Sequence, residues 1–297
     1  MAEDDAVPID AAWLREHPLP RHGEGTDKNS RGHVVAIGGS RRVPGGLLLT
    51  GEAALRAGAG KVQLATIASC ALGLGLALPE SGIIALEETA DGEIDAARIA
   101  PLGENLERCD SVLVGPAMGS AGCAGALLDA LFADRLERQT VLIDAVALHA
   151  AREREGRLRA YRGALIVTPN PDELASYLDC DEARIVGDPA GCARETAERL
   201  DAVAVCKGGD TLVARPDGTL LRYEGGGVGL ATGGSGDVLT GIIGGLTARG
   251  CDPLVAAAWG VWLHGEAGRR LAERTGPIGF LARELPALVP ERMQAAS

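Results

Sequence analysis

The chain has 297 residues, a formal net charge of −12 and only 3% aromatic residues. It therefore lacks the basic surface and the stacking rings that nucleic-acid binding requires, and we exclude that class. The seven cysteines form no C-x-x-C pair, Met1 to Asp5 lack the apolar segment of a signal peptide, and no apolar run reaches membrane length. We therefore expect a soluble cytoplasmic protein with reduced thiols and no membrane association.

Residues 1–32 are polar and rich in proline and charge, and they predict a leader with one short helix around residues 11–15. From His33 onward, short β-branched runs alternate with longer segments rich in alanine and leucine. The predicted strands cover residues 33–37, 61–66, 111–114, 141–143, 164–167 and 203–206. The predicted helices between them cover residues 45–59, 122–136 and 189–200.

The last third of the chain begins with a predicted hairpin. Its turn is Arg215-Pro-Asp-Gly218, between strands at residues 212–214 and 219–223. Two long helices follow, at about residues 236–249 and 253–274. Because strands and helices alternate, we predict an α/β fold with a mostly parallel central sheet and helices on both faces, as one domain over residues 33–297. Ligands should bind at the carboxyl ends of its strands.

The most informative segment is the glycine-rich run from Gly225 to Asp237, just before the first long helix. Glycines allow successive backbone amides to converge, and a helix amino terminus adds the positive end of its dipole. We predict an anion hole for a phosphoryl group, formed by Gly233, Gly234, Ser235 and Gly236. No lysine follows the glycines, so this is not a P-loop, and the run does not lie in a first βαβ unit as a Rossmann fingerprint does.

Asp237 follows the predicted anion hole in the first helical turn, and its position has two interpretations. A carboxylate there complements the helix dipole, which is the more common role of such a residue taken alone. Behind an anion hole it is also placed to take a proton from an attacking hydroxyl. We favour the catalytic interpretation because the whole motif supports it.

Several segments, in this order, resemble one family. Ala231 to Gly241 is similar to the carboxyl-terminal signature of ribokinase-like small-molecule kinases, and within them to ADP/ATP-dependent NAD(P)H-hydrate dehydratases. The other similar segments are Gly38-Gly-Ser40, Pro44-Gly-Gly46, Ala57-Gly-Ala-Gly-Lys61, Val114-Gly-Pro-Ala-Met-Gly119, Thr168-Pro-Asn-Pro-Asp-Glu173, Lys207-Gly-Gly-Asp-Thr211, Pro216-Asp-Gly218 and His264-Gly265. The resemblance extends from about Arg31 to Val289 and implies a ribokinase-like fold.

The resemblance also implies an activity. Members of the family return hydrated NADH and NADPH to NADH and NADPH, using ADP or ATP to phosphorylate the ring hydroxyl so that phosphate can leave. The resemblance implies that Asp237 is the base, and it implies one set of residues that bind the nucleotide and one that binds the substrate. Nucleotide would be bound by Lys207, Gly208, Gly209, Asp210, Thr211 and Gly236, and substrate by Gly46, Ala117, Asn170 and Asp237. We expect Mg²⁺ from the reaction type, and a separate NAD(P)H-hydrate epimerase and a homo-oligomer from the resemblance.

Three positions depart from the family's pattern. Asn170 stands where histidine is usual and can hydrogen-bond but not titrate. Ala117 replaces a glycine, which narrows the approach of a ligand to the backbone. Val146 replaces an aspartate near a strand end. These departures bear on the identity of the substrate.

Other interpretations stay open. A ribokinase-like kinase acting on a thiazole or pyrimidine alcohol would use Asp237 in the same way, whereas a non-catalytic nucleotide-binding regulator would not need it. The alternative to a nucleotide-binding role for Lys207 is that it is a solvated lysine at the end of a strand. His264 is expected to be a packed structural histidine. Asp144 is expected either near the site or as a helix cap.

Overall fold

The computed structural model describes residues 5–23 and 25–296 of the chain. Residues 1–4, on which the expectation about a signal peptide largely depends, lie outside the described residues. Glu24 in the predicted leader and Ser297 at the end of the predicted domain lie outside them as well.

The described residues form one sheet of ten strands. In chain order these are β1 (Val7–Pro8), β2 (His33–Ile37), β3 (Lys61–Ile67), β4 (Gly82–Leu86), β5 (Ser111–Val114), β6 (Thr140–Ile143), β7 (Leu165–Val167), β8 (Val203–Cys206), β9 (Asp210–Ala214) and β10 (Leu220–Glu224). Their order across the sheet is β1-β10-β9-β8-β7-β6-β5-β2-β3-β4. Strand β9 runs antiparallel to both of its neighbours, and the other neighbouring pairs in the described sheet are parallel.

Helices cover both faces of this sheet. They are α1 (Ala11–Glu16), α2 (Gly46–Arg56), α3 (Ala68–Ala77), α4 (Gly103–Arg108), α5 (Ala121–Asp134), α6 (Val146–Ala151), α7 (Glu155–Arg159), α8 (Pro171–Leu178), α9 (Glu182–Gly187), α10 (Pro189–Leu200), α11 (Ser235–Ala248), α12 (Pro253–Thr275) and α13 (Val289–Ala296). Successive strand residues point to opposite faces, so each strand contributes side chains to a core on each face of the sheet. In β2, Val34 and Ala36 join the core under α2, α11 and α12, whereas Val35 and Ile37 join the core under α5, α6 and α10. The predicted α/β architecture with helices on both faces is confirmed.

The predicted leader packs against the sheet. Val7 and Pro8 form a parallel strand on β10, and Trp13 and Leu14 of α1 are buried. The short helix was predicted from the sequence but the strand was not, because two residues are too few to show an alternating pattern.

Several further elements were not predicted from the sequence: the edge strand β4 and the helices α3, α4, α6, α7, α8, α9 and α13. Helix α3 is apolar on all sides, so it shows no periodic stripe by which a helix is recognised. No helix among the described residues is long and apolar enough to cross a membrane. All seven cysteines lie in the described part of the chain and none forms a disulfide.

Candidate active site

Three neighbouring strands place polar side chains at the carboxyl edge of the sheet. Asp144 follows β6, Thr168 follows β7 and Lys207 follows β8. The side chain of Asp144 is 3% exposed, and its Oδ1 accepts hydrogen bonds from Thr168 Oγ1 at 2.6 Å and Lys207 Nζ at 3.3 Å. Its Oδ2 accepts a hydrogen bond from Thr240 Oγ1 of α11 at 2.8 Å. Asp144 therefore ties two strand ends and Lys207 to α11, and its carboxylate does not cap a helix.

The backbone beside this network is strained. Ala145 has φ 51° and ψ −135°, and Ala117 has φ 58°, in regions that residues other than glycine rarely adopt. Such conformations cost about 1–3 kcal/mol each and cluster at functional sites. Gly115 is required here because a Cβ would lie 2.0 Å from the Asp144 carbonyl oxygen. Val146 packs against the core on the face of α5 and α6.

The amino terminus of α11 faces the same region. Gly234 precedes it with φ 87°, and the helix begins at Ser235. Within the described residues, no backbone acceptor pairs with the N–H groups of Gly233, Gly234, Gly236 or Asp237. Unpaired N–H groups of this kind, at the positive end of a helix dipole, bind anions.

Asp237 lies in the first turn of α11, with Gly46 of α2 and Ala117 close by. A Cβ at Gly46 would lie 3.2 Å from Asp237 Oδ2 and 2.5 Å from Ala117 Cβ, so only glycine fits. Burial, and after it the nearby carboxylate of Asp144, raises the pKa of Asp237 to about 7, although the Lys207 ammonium lowers it in part. A carboxyl group that titrates near neutral pH is suited to general-base catalysis.

Lys207 is the cation of the site. Its Nζ lies 3.3 Å from Asp144 Oδ1 and 3.9 Å from Glu173 Oε2, and it would lie 3.3 Å from a Cβ at Gly236. Burial alone would lower the pKa of Lys207, but Asp144, Glu173 and Asp237 together raise it, so the ammonium stays charged. The ammonium thus lies beside the unpaired N–H groups of α11.

The rest of the predicted nucleotide segment continues from Lys207 into β9. Gly208 and Gly209 are exposed, and the carboxylate of Asp210 binds the guanidinium of Arg222 on β10. Thr211 is half-buried in β9. Any contact of Asp210 with a nucleotide would therefore involve its backbone rather than its carboxylate.

Asn170 caps the amino terminus of α8. Its Oδ1 accepts a hydrogen bond from the Glu173 N–H at 2.8 Å, and the Glu173 carboxylate accepts one from the Asn170 N–H at 2.9 Å. This reciprocal capping box occupies the amide oxygen of Asn170 and aims Glu173 toward Lys207.

We expect Asn170→Ala to lower the free energy of unfolding by about 1 kcal/mol, because the helix cap is lost. Asn170→Ser, which keeps a capping oxygen, serves as the control and should be near wild type. Urea unfolding of both variants measures the difference. Equal stability of the alanine variant and wild type would contradict the capping role.

Three residues of this site were not singled out from the sequence: Thr168, Thr240 and Glu173. Thr240 carried a signal, because a residue three positions after Asp237 lies on the same side of a helix. Glu173 carried one too, since asparagine followed three positions later by glutamate is a capping-box pattern. Thr168 had only its position at a strand end.

Two cavities among the described residues lie away from this cluster. One of about 550 Å³ is lined by Lys28, Lys61 and Asp110, and one of about 330 Å³ by Leu165, Val203 and Asp252, among others. Both are at the amino ends of the strands and include none of the predicted site residues.

Comparisons with known proteins point to one family. A family model described as NAD(P)H-hydrate dehydratase matches residues 34–291. The chain is 46% identical over 283 residues to an ADP-dependent (S)-NAD(P)H-hydrate dehydratase of Xanthomonas campestris, covering 95% of this chain and 94% of that protein.

Solved structures share the whole fold. A crystal structure of an ADP/ATP-dependent NAD(P)H-hydrate dehydratase from Bacillus subtilis with ATP/Mg²⁺ has a TM-score of 0.83 at 25% identity, covering 99% of this chain and 100% of that one. A ribokinase-like superfamily protein from Enterococcus faecalis has a TM-score of 0.85 at 23% identity, covering 99% and 97%, which supports the ribokinase-like fold.

Proposed function

The chain belongs to the NAD(P)H-hydrate dehydratase family, and from this premise we infer that it is an ADP/ATP-dependent NAD(P)H-hydrate dehydratase. It converts hydrated NADH and NADPH back to NADH and NADPH at the expense of ADP or ATP. The observation that carries the mechanism is the placement of Asp237, whose pKa is raised to about 7, beside unpaired helix N–H groups and the Lys207 ammonium.

We propose that Asp237 takes the proton from the hydroxyl group of the hydrated nicotinamide ring. The hydroxyl oxygen then attacks the terminal phosphorus of the nucleotide, the bond from that phosphorus to its bridging oxygen breaks, and AMP leaves when the donor is ADP, or ADP when it is ATP. Negative charge develops on the transferred phosphoryl oxygens during the transfer. The N–H groups at the start of α11 lie where they can stabilise this charge without rearranging. Gly46 and Ala117, which lie next to Asp237, would form the wall for the substrate ring.

In the second step the phosphate leaves the ring, and this step needs fewer protein groups than the first. Hydroxide is a poor leaving group, whereas the phosphate made in the first step is a good one. The lone pair of the neighbouring ring nitrogen displaces the phosphate with its bonding electrons, and loss of a proton from the adjacent carbon restores the ring double bond. Water must be kept from the ring during this step, which the partly buried position of Asp237 supports.

Lys207 and the backbone of residues 207–211 are proposed to hold the nucleotide phosphates. The ammonium lies within reach of both Asp144 and the start of α11, so it can neutralise charge at the bond that breaks. Asp144 and Glu173 fix the lysine in this position.

Mg²⁺ is proposed as the metal that accompanies the nucleotide. Among the described residues, no three His, Cys, Asp or Glu side chains could hold a metal ion on their own. Mg²⁺ is commonly bound by one or two carboxylates together with substrate phosphates, so the phosphates of the nucleotide would supply much of its coordination. The ion would neutralise phosphate charge during transfer.

We expect turnover to fall to background in excess chelator, because phosphate charge would no longer be neutralised. Adding back Mg²⁺ should restore it. The release of inorganic phosphate in matched reactions with and without chelator measures this effect. Full activity in chelator would exclude a required divalent ion.

The test of the function is incubation of the protein with hydrated NADH and either ADP or ATP. The absorbance of the reduced nicotinamide should return as inorganic phosphate is released in equal amount. A ribokinase-like kinase for a thiazole or pyrimidine alcohol would instead accumulate a phosphate ester. Ester without reduced nicotinamide would therefore reject the dehydratase.

Further proposals concern the surroundings of the reaction. The Xanthomonas relative is named for the (S) form of the substrate, which supports a separate NAD(P)H-hydrate epimerase that supplies this form. Leu72 and Leu76, each 76% exposed on α3, support a homo-oligomer.

The absence of disulfides among the seven cysteines supports a reducing, cytoplasmic location.

A further inference from the structure

Within the anion hole formed by residues 233–236, Ser235 alone carries a side chain, because the other three residues are glycines. Glycine gives the backbone its widest conformational freedom, and Gly234 uses it with φ 87°. Stabilisation of a transition state depends on donors that are already fixed before the reaction. Something other than the glycines must therefore hold these N–H groups in place.

The side chain of Ser235 is bound to α12. Its Oγ lies 2.9 Å from Nε2 of His264, and the two residues are 5% and 9% exposed. Burial lowers the pKa of His264 to about 4, so the ring is neutral at neutral pH and adds no charge beside the anion hole. The hydrogen bond joins the first residue of α11 to the middle of the long helix that packs against it.

We propose that His264 is a positioning residue that, through its hydrogen bond to Ser235, holds the N–H groups of the anion hole aimed at the transferred phosphoryl group. The role rests on the proposed function, because it concerns the same phosphoryl transfer. It also differs from the packed structural histidine that the sequence predicts.

The surroundings of the pair make a packing role a poor explanation. Val261, one helical turn before His264 on α12, and Leu239, one turn after Ser235 on α11, both belong to the apolar core, so a leucine in place of His264 would lie on a side of α12 that already carries a core residue. Replacing both members of a buried hydrogen-bonded pair by apolar groups is often nearly neutral for stability, whereas removing one is costly. A pair kept for packing alone would thus be replaceable without consequence.

The experiment compares Ser235→Ala, His264→Leu and the double variant with wild type. The double variant should unfold close to the wild-type temperature. Its kcat on hydrated NADH should be about three- to tenfold lower, the equivalent of one hydrogen bond, with little change in KM. Because both single changes break the same bond, the double variant should be no slower than His264→Leu.

Two further variants separate positioning from packing. His264→Gln can place an amide N–H near the position of Nε2 and should recover most of the lost kcat. Val261→Ala removes a buried side chain of the same helix and should lower the thermal midpoint while kcat stays at the wild-type value. Within residues 232–238, the Ser235 and Val238 amides donate hydrogen bonds to the Thr232 and Gly234 carbonyls, and their hydrogen exchange should quicken in His264→Leu but not in Val261→Ala.

A double variant with wild-type kcat and wild-type exchange over residues 232–238 would overturn the role of His264. Wild-type protein that fails to dehydrate hydrated NADH would instead overturn the proposed function. In that case the exchange experiment still decides whether His264 fixes the start of α11.

Discussion

Asp237→Asn should lower kcat on hydrated NADH by about 10²–10⁴-fold, the usual contribution of a general base. Asparagine keeps the size of the side chain and can still accept a hydrogen bond, but it cannot take the hydroxyl proton. The absorbance of the reduced nicotinamide, followed with ADP and separately with ATP, measures the loss. A variant with at least half of wild-type turnover would show that Asp237 is not the base.

The same variant should be at least as stable as wild type at pH 8. Burial raises the pKa of Asp237 from 3.8 to about 7 in the folded protein. The stability linked to this group is therefore fully present below its unfolded pKa and is lost as the pH rises through about 7. Asparagine never carries the buried charge and avoids that loss, so thermal unfolding at pH 8 should show no decrease in midpoint.

Asp252→Asn is the matched control for this change. Asp252 also lies at a helix amino terminus, where its carboxylate accepts hydrogen bonds from Leu254 and Val255. It caps α12 and lies in the wall of a cavity at the amino edge of the sheet. Turnover of this variant should equal that of wild type, which would separate a general effect of losing a helix-terminal carboxylate from the effect at Asp237.

Lys207→Gln should lower kcat/KM at pH 7 by about 10²-fold, comparable to the loss of one transition-state donor. The change removes the positive charge that lowers the pKa of Asp237. The pKa of Asp237 therefore rises, and the carboxyl group keeps its proton up to a higher pH. Activity appears as the base loses its proton. The acidic limb of the pH–rate profile should therefore move from about 7 toward higher pH, and part of the lost activity should return at pH 9.

Stability should fall in the same variant. Asp144, whose side chain is 3% exposed, would lose its cation, and leaving a buried carboxylate unpaired costs on the order of 3 kcal/mol. Lys61→Gln, which changes a lysine at the amino end of β3, is the control and should move neither the profile nor the unfolding midpoint. An unshifted limb in Lys207→Gln would mean that the ammonium does not act on Asp237.

Much of the fold could be predicted because the buried strands are short β-branched runs that end in glycine, proline or a polar residue. Strands β2, β5 and β8 have the predicted bounds for this reason. Helix α11 was recognisable from its apolar stripe and its glycine-rich start, and so was the position of Asp237. Helix α3, apolar on every side, gave no such contrast with its surroundings.

The network around Asp144 could not be predicted, because it depends on the order of the strands. Residues 144, 168 and 207 meet only because β6, β7 and β8 are neighbours in the sheet. Alternation of strands and helices does not determine that order. The hydrogen bond between Ser235 and His264 could not be predicted for a related reason, since it depends on how α12 packs against α11.

The pairing of β1 with β10 has a consequence for how the molecule is made. Val7 lies opposite Leu221, and the Trp259 ring nitrogen donates to the His17 carbonyl at 2.8 Å. During synthesis Val7 must wait for more than two hundred later residues before its partner strand exists. The amino-terminal segment is thus among the last parts of the chain to reach its native place, and the long sequence separation of these contacts slows the final closure of the fold.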